Sequence, residues 1–133
     1  MRHFVAYHSA DRMGYTAKEA TPFGLYTNKN VSDPIGDVIW IITGSADKPK
    51  RYSLTSWFTV SDVSPADHTD FGFTLSGHEG KEFPRYQRLD QLPWFAAFLK
   101  RMANFSIGLT ELRDQAIIDE LRRVAAEAGC PQT

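Results

Sequence analysis

Hydrophobic and polar positions alternate at strand spacing along most of this chain and then, in its carboxyl third, recur at helical spacing. The clearest signal runs from Gly36 to Val63. A Gly36-Asp37 turn opens the apolar run Val38 to Thr43, a polar loop follows, and Arg51 to Val60 alternates as a second strand. Strict alternation puts Tyr52, Leu54, Ser56, Phe58 and Val60 on one face and Ser53, Thr55, Trp57 and Thr59 on the other. Trp57 is then a large indole on a hydroxyl-lined face, where it either covers a neighbouring element or receives a flat ligand. In the other strand Trp40 shares a face with Val38 and Ile42 while Ile39 and Ile41 fill the opposite one, so Trp40 is expected in the core.

Shorter strands are predicted at His3 to Tyr7, Leu25 to Thr27, Phe71 to Leu75 and Tyr86 to Leu89. Pro93 suits the start of a helix in which Phe95, Phe98, Leu99 and Met102 form one stripe, with Asn104 as its stop. A last helix, entered near Thr110 or Asp114, carries Ile117, Leu121, Val124 and Ala128 on one side and ends at Gly129 and Pro131. Trp94, beside Pro93, is expected to pack against the sheet, and Tyr52 to lie in the core unless its hydroxyl reaches the rim. The fold class is α+β, with two helices after a mostly β region.

Length and composition restrict this picture further. At 133 residues the chain fits one domain, spanning residues 1–133, that buries enough surface to need no disulfide or metal staple. Its one cysteine, Cys130, cannot pair within the chain. No apolar run approaches the roughly 20 residues that span a bilayer. The start Met1-Arg2-His3-Phe4-Val5-Ala6-Tyr7 lacks the pattern of a secretory signal, so a cytoplasmic location is expected. The net charge of -1 rules out global attraction to nucleic acid and leaves phosphate contacts to local clusters. Two such clusters exist: Lys48, Lys50 and Arg51 in one hairpin loop, and Lys81, Arg85 and Arg88 with Lys100 and Arg101 downstream.

Several segments together resemble the PUA-like superfamily, in its EVE-type branch. They are the strand and turn Val5-Ala6-Tyr7-His8-Ser9, the opening Gly36-Asp37-Val38-Ile39, the strand from Leu54 to Val63 running into Ser64-Pro65, and Gly24-Leu25-Tyr26-Thr27-Asn28-Lys29-Asn30. Ala10 and Asp11 follow Ser9, where the family carries a proline. Tyr7-His8-Ser9, Thr27-Asn28-Lys29 and Leu92-Pro93-Trp94-Phe95 are also similar to the amino-terminal specificity domains of bacterial modification-dependent restriction systems. The resemblance implies a small mixed β-barrel of five to six strands with both helices packed against it. It also implies a non-catalytic module that holds a nucleic-acid base, modified or flipped, in an aromatic pocket, with no cofactor. Pulling a base from a duplex costs a few kcal/mol, and stacking on one aromatic ring returns about 1–3 kcal/mol, so two rings secure the base. Trp57 would floor the pocket with Tyr7, Tyr26 or Tyr52 facing it, Ser9 and Asn28 would read the edge of the base, and Lys48, Lys50 and Arg51 would meet the backbone.

Two readings from other classes stand beside this one. His68, Asp70 and His78, with Glu79 and Glu82 near them in sequence, offer imidazole and carboxylate groups for a metal-assisted hydrolase or nuclease. Alternatively, the exposed face of the last helix and Trp57 could bind another protein. No nucleophile elbow and no phosphate-cradling loop before Lys-Ser or Lys-Thr occurs. Gly77-His78-Glu79-Gly80 has the GxxG spacing of a backbone clamp, but a strand precedes it and Glu79 would repel phosphate.

Overall fold

Val38 to Ile42 carries apolar side chains on both strand faces, so this segment is stable only where it is covered on both sides. The computed structural model, which describes residues 1–8, 24–27, 33–44, 51–65, 73–102 and 109–129, supplies that cover. In chain order its elements are β1 (His3–His8), β2 (Gly24–Thr27), β3 (Val38–Gly44), β4 (Tyr52–Thr59), β5 (Asp62–Pro65), β6 (Phe73–Ser76), β7 (Glu79–Arg88), α1 (Phe95–Arg101), β8 (Thr110–Leu112) and α2 (Gln115–Gly129). One sheet has the order β7-β4-β3-β1-β8, and a second has the order β2-β6-β5. β1 and β3 run parallel, and the remaining pairs are antiparallel.

The large sheet separates two cores. Val5, Tyr7, Val38, Trp40, Ile42, Leu54 and Phe83 face both helices, which contribute Phe95, Phe98, Ile117, Ile118, Leu121 and Val124. Phe4, Ala6, Ile39, Ile41, Phe58 and Val60 face the other way and meet Leu75 of the small sheet. Burying each such large side chain contributes about 1.5–3 kcal/mol, which makes the double-sided β3 the anchor of the fold. Of the helical stripes read from the sequence, Phe95, Phe98, Met102, Ile117, Leu121 and Val124 are buried and Leu99 is partly so, with Ile118 added to the last stripe.

Expected and observed architecture differ in the strands. Among the described residues there are eight, in two sheets, rather than five or six in one barrel, and no pairing closes a ring. β5 and β8 are too short and polar to show a period, and Thr110, read as a helix entry, instead pairs with Val5. β7 begins at Glu79, inside the Gly77-to-Gly80 segment and well before the strand expected at Tyr86 to Leu89; most of its side chains lie exposed at a sheet edge and leave no alternation to detect.

The Gly36-Asp37 opening works as a latch. Gly36 takes a left-handed φ of 89°, and its N–H donates to the Val60 carbonyl at 2.8 Å. The buried Asp37 carboxylate accepts the Arg2 backbone N–H at 2.8 Å and Arg2 Nε at 2.9 Å. These bonds tie the start of β1 and the end of β4 to the start of β3, fixing the parallel β1–β3 register. No helix among the described residues is long and apolar enough to cross a membrane.

Candidate functional site

Trp57 reaches its position through a β-bulge. Ile41 pairs with Ser56 but Ile42 pairs with Leu54, so Thr55 is the extra residue. Its buried hydroxyl donates to the Ile41 carbonyl at 3.3 Å, satisfying a group that the irregular ladder would leave short. Beyond the bulge the side-chain parity is reversed. Trp57 therefore shares the helix-side face with Tyr52 and Leu54, while Ser56, Phe58 and Val60 point to the other core. The expected hydroxyl-lined face around Trp57 does not exist, because alternation fails wherever one residue is left over.

Trp57 is half-buried and packs against Trp40 at 6.0 Å between ring centroids and 41° between planes. Trp40 is 3% exposed, in the core as expected. Its Nε1–H donates to Nδ1 of His3 at 3.0 Å, and the His3 ring lies nearly parallel to it beside the indole, with 6.1 Å between centroids and 15° between planes. Three strands thus contribute one row of flat rings, His3, Trp40 and Trp57, of which Trp57 alone is not fully buried. Lys81, exposed on β7, stands directly opposite Trp57 in the ladder.

His3 is 6% exposed. An indole N–H can only donate, so Nδ1 of His3 must be the acceptor and the neutral ring carries its proton on Nε2. Burial, the Arg122 guanidinium and the amino terminus hold its pKa below the ordinary histidine value, against a smaller opposing pull from Asp37. The unfolded chain therefore binds the His3 proton more readily than the folded one, and stability falls as pH drops below the unfolded value of 6.5. Urea unfolding between pH 7.5 and 5.5 should show this loss, at no more than about 1.4 kcal/mol per pH unit for one proton. In His3→Gln, whose amide oxygen can still accept from Trp40, that part of the slope should vanish; an unchanged slope would assign it to other groups.

The remaining expected pocket residues do not gather around Trp57. Tyr7, only 6% exposed, lies 6.0 Å from Tyr52, and Tyr52 is flanked by Phe95 at 5.3 Å. This tyrosine pair sits where β1 ends and β4 begins, several residues along the sheet from Trp57. Among the described residues the ring packed on Trp57 is Trp40, so the expected tyrosine partner is replaced by a core tryptophan. Tyr26 belongs to β2. Ser9, Asn28, Lys48 and Lys50 lie outside the described residues. Arg51 is exposed just before β4.

Of the second basic cluster, Arg88 is bound by Asp90, which also accepts the Tyr52 N–H at 3.1 Å, and the Arg88 guanidinium holds that carboxyl below its usual range. Arg101 pairs with Asp114. Lys81, Arg85 and Lys100 are exposed and carry no ion pair among the described residues. Trp94 packs on Phe95 and edge-on against Phe98 of α1 rather than on the sheet, and its buried Nε1–H has no partner among the described residues. His78 is exposed between β6 and β7, while His68 and Asp70 lie outside the described residues. Among the described residues no three His, Cys, Asp or Glu side chains are placed to hold a metal ion.

The row through His3 and the Lys81 position opposite Trp57 were not anticipated from sequence. His3 does carry one signal, since its parity with Val5 and Tyr7 puts a polar ring on an apolar face. Comparison of the chain with protein-family models, with curated proteins and with solved structures finds no match.

Proposed function

We propose that this chain is a non-catalytic nucleic-acid-binding module of the PUA-like kind, in which Trp57 stacks a base, modified or flipped out of a helix. The observation that carries the reading is the state of Trp57: a partly buried indole that keeps some exposed surface while one side rests on a buried, hydrogen-bonded tryptophan. A ring held in this way loses little side-chain freedom on stacking, so more of the roughly 1–3 kcal/mol per base remains as affinity. Lys81 opposite it supplies a cation within reach of a phosphate attached to the stacked nucleotide. The strand order is compatible with a PUA-like arrangement. The chain passes from the large sheet to the small one at Val60-Ser61 and returns at Gly77-His78, as in a partly closed barrel. In this reading Ser9 and Asn28 read the base edge, and Lys48, Lys50 and Arg51 meet the backbone.

Titration with a panel of plain and base-modified oligonucleotides tests this directly. Binding should be saturable, should survive chelators, and should weaken with salt, log K falling by about 0.7 per phosphate contacted on a single strand for each decade of salt. Turnover of the oligonucleotide that stops on chelation would instead place the chain among metal-assisted nucleases.

A further inference from the structure

We propose that His3 and Arg122 form a binding site for one oxygen of a phosphate group. Arg122 Nη2 lies 3.4 Å from His3 Nε2. Because Trp40 occupies Nδ1, the neutral His3 ring presents an N–H at Nε2, and a guanidinium has no acceptor at all. Two donors therefore face each other, with no acceptor for either proton among the described residues. A buried donor without an acceptor is costly, and His3 is 6% exposed. A single oxygen about 2.9 Å from both nitrogens would close a triangle on their observed separation and satisfy both.

The charge pattern selects an anion. The described carboxylates on and beside α2 are engaged elsewhere: Glu120 and Glu127 with Arg123, Glu111 with Arg113, Asp114 with Arg101, and Asp119 with Gln115. Asp37, the nearby acidic group, is taken by Arg2. Arg122 is thus left without a carboxylate partner among the described residues. It stands exposed at the mouth of the site with His3 behind it.

The phosphate could be free or part of a nucleic-acid backbone. The second source rests on the base-stacking reading. Trp57 and His3 are separated only by Trp40, with ring-to-ring steps of 6.0 and 6.1 Å, so a strand stacked on Trp57 could bring a neighbouring phosphate to the pair. The site itself depends only on His3 and Arg122.

Inorganic phosphate, titrated at constant ionic strength and neutral pH, is the first probe. The imidazole and guanidinium NMR signals of His3 and Arg122 should shift with saturation, and Arg122→Gln should weaken the effect at least tenfold. A melting curve matching the parent shows that this exposed substitution leaves the fold intact. A linear, unsaturated shift, or equal saturation in Arg122→Gln, overturns the site. A short single-stranded oligonucleotide added to the phosphate-saturated protein separates the sources. Displacement of phosphate assigns the site to the backbone, and simultaneous binding assigns it to free phosphate. Phosphate saturation with no oligonucleotide binding would sink the base-stacking reading alone, whereas oligonucleotide binding without phosphate saturation would sink this site alone.

Discussion

Gly80→Ala and Gly77→Ala each unfold at much lower urea than the parent chain, by about 3 kcal/mol or more, near the upper end of single-substitution effects. At Gly80 an added Cβ would lie 2.3 Å from the Trp57 carbonyl oxygen and 2.7 Å from the Phe58 Cα. At Gly77 it would lie 2.0 Å from the Thr59 carbonyl oxygen. Those neighbours are backbone of β4, which is itself hydrogen-bonded to β3, so they cannot rotate away as a side chain would. Relief requires β7 to move off β4, opening the edge that carries Lys81 and unseating Phe83 from the helix-side core. Native domains are stable by only about 5–15 kcal/mol, so either substitution consumes a large part of the margin. Gly36→Ala is the internal comparison. Nothing lies within 4 Å of its Cβ position, and only its φ of 89° opposes a side chain. Its cost should stay near 1–2 kcal/mol. Equal, small effects at all three positions would mean that β7 does not pack on β4 as described.

The second large effect separates the two stacked tryptophans. Trp57→Ala should weaken oligonucleotide binding by roughly 5- to 150-fold, the equivalent of about 1–3 kcal/mol for one lost stack. Its stability cost should be below that of a fully buried ring, about 1–2 kcal/mol, because part of the indole surface is already in water. Trp40→Ala should behave in the opposite way. It removes a ring that is 3% exposed, leaves a cavity between β1 and β4, and strips the donor from His3, for about 3–5 kcal/mol. Trp57→Phe should keep most of the affinity, since a smaller ring still stacks. If Trp57→Ala instead unfolds the protein as Trp40→Ala does, the indole is a core residue and the stacking assignment fails.

How much of this was legible beforehand varies with what each element depends on. The apolar run at Val38, the burial of Trp40 and the burial of Phe95, Phe98, Ile117, Leu121 and Val124 in the helices follow from local periodicity, and they appear where periodicity puts them. The face of Trp57 was misassigned because the Thr55 bulge is set by pairing with Ile41 across the ladder, which no pattern within β4 records. β7 was hidden by its own chemistry. Gly77 and Gly80 at its start look like a turn, yet both are needed for close approach to β4, and its charged side chains are exposed at an edge. The Gly36-Asp37 opening was visible as a motif, but the bond from Asp37 back to Arg2 was not. His3 and Arg122 lie 119 positions apart, so nothing local could join them. Candidate binding residues fared similarly: Tyr7 and Tyr52 do meet, but away from the tryptophan they were expected to face.

The central claim is that the open side of Trp57 receives a base, and fluorescence anisotropy of a labelled oligonucleotide tests it most directly. Parent and Trp57→Ala proteins of matched thermal midpoint are titrated against the same plain and base-modified strands at one fixed salt concentration. The account expects saturable binding by the parent and at least fivefold weaker binding by the variant, about 1 kcal/mol or more. Equal affinity of the two proteins, or no saturable binding by the parent to any strand, would contradict it.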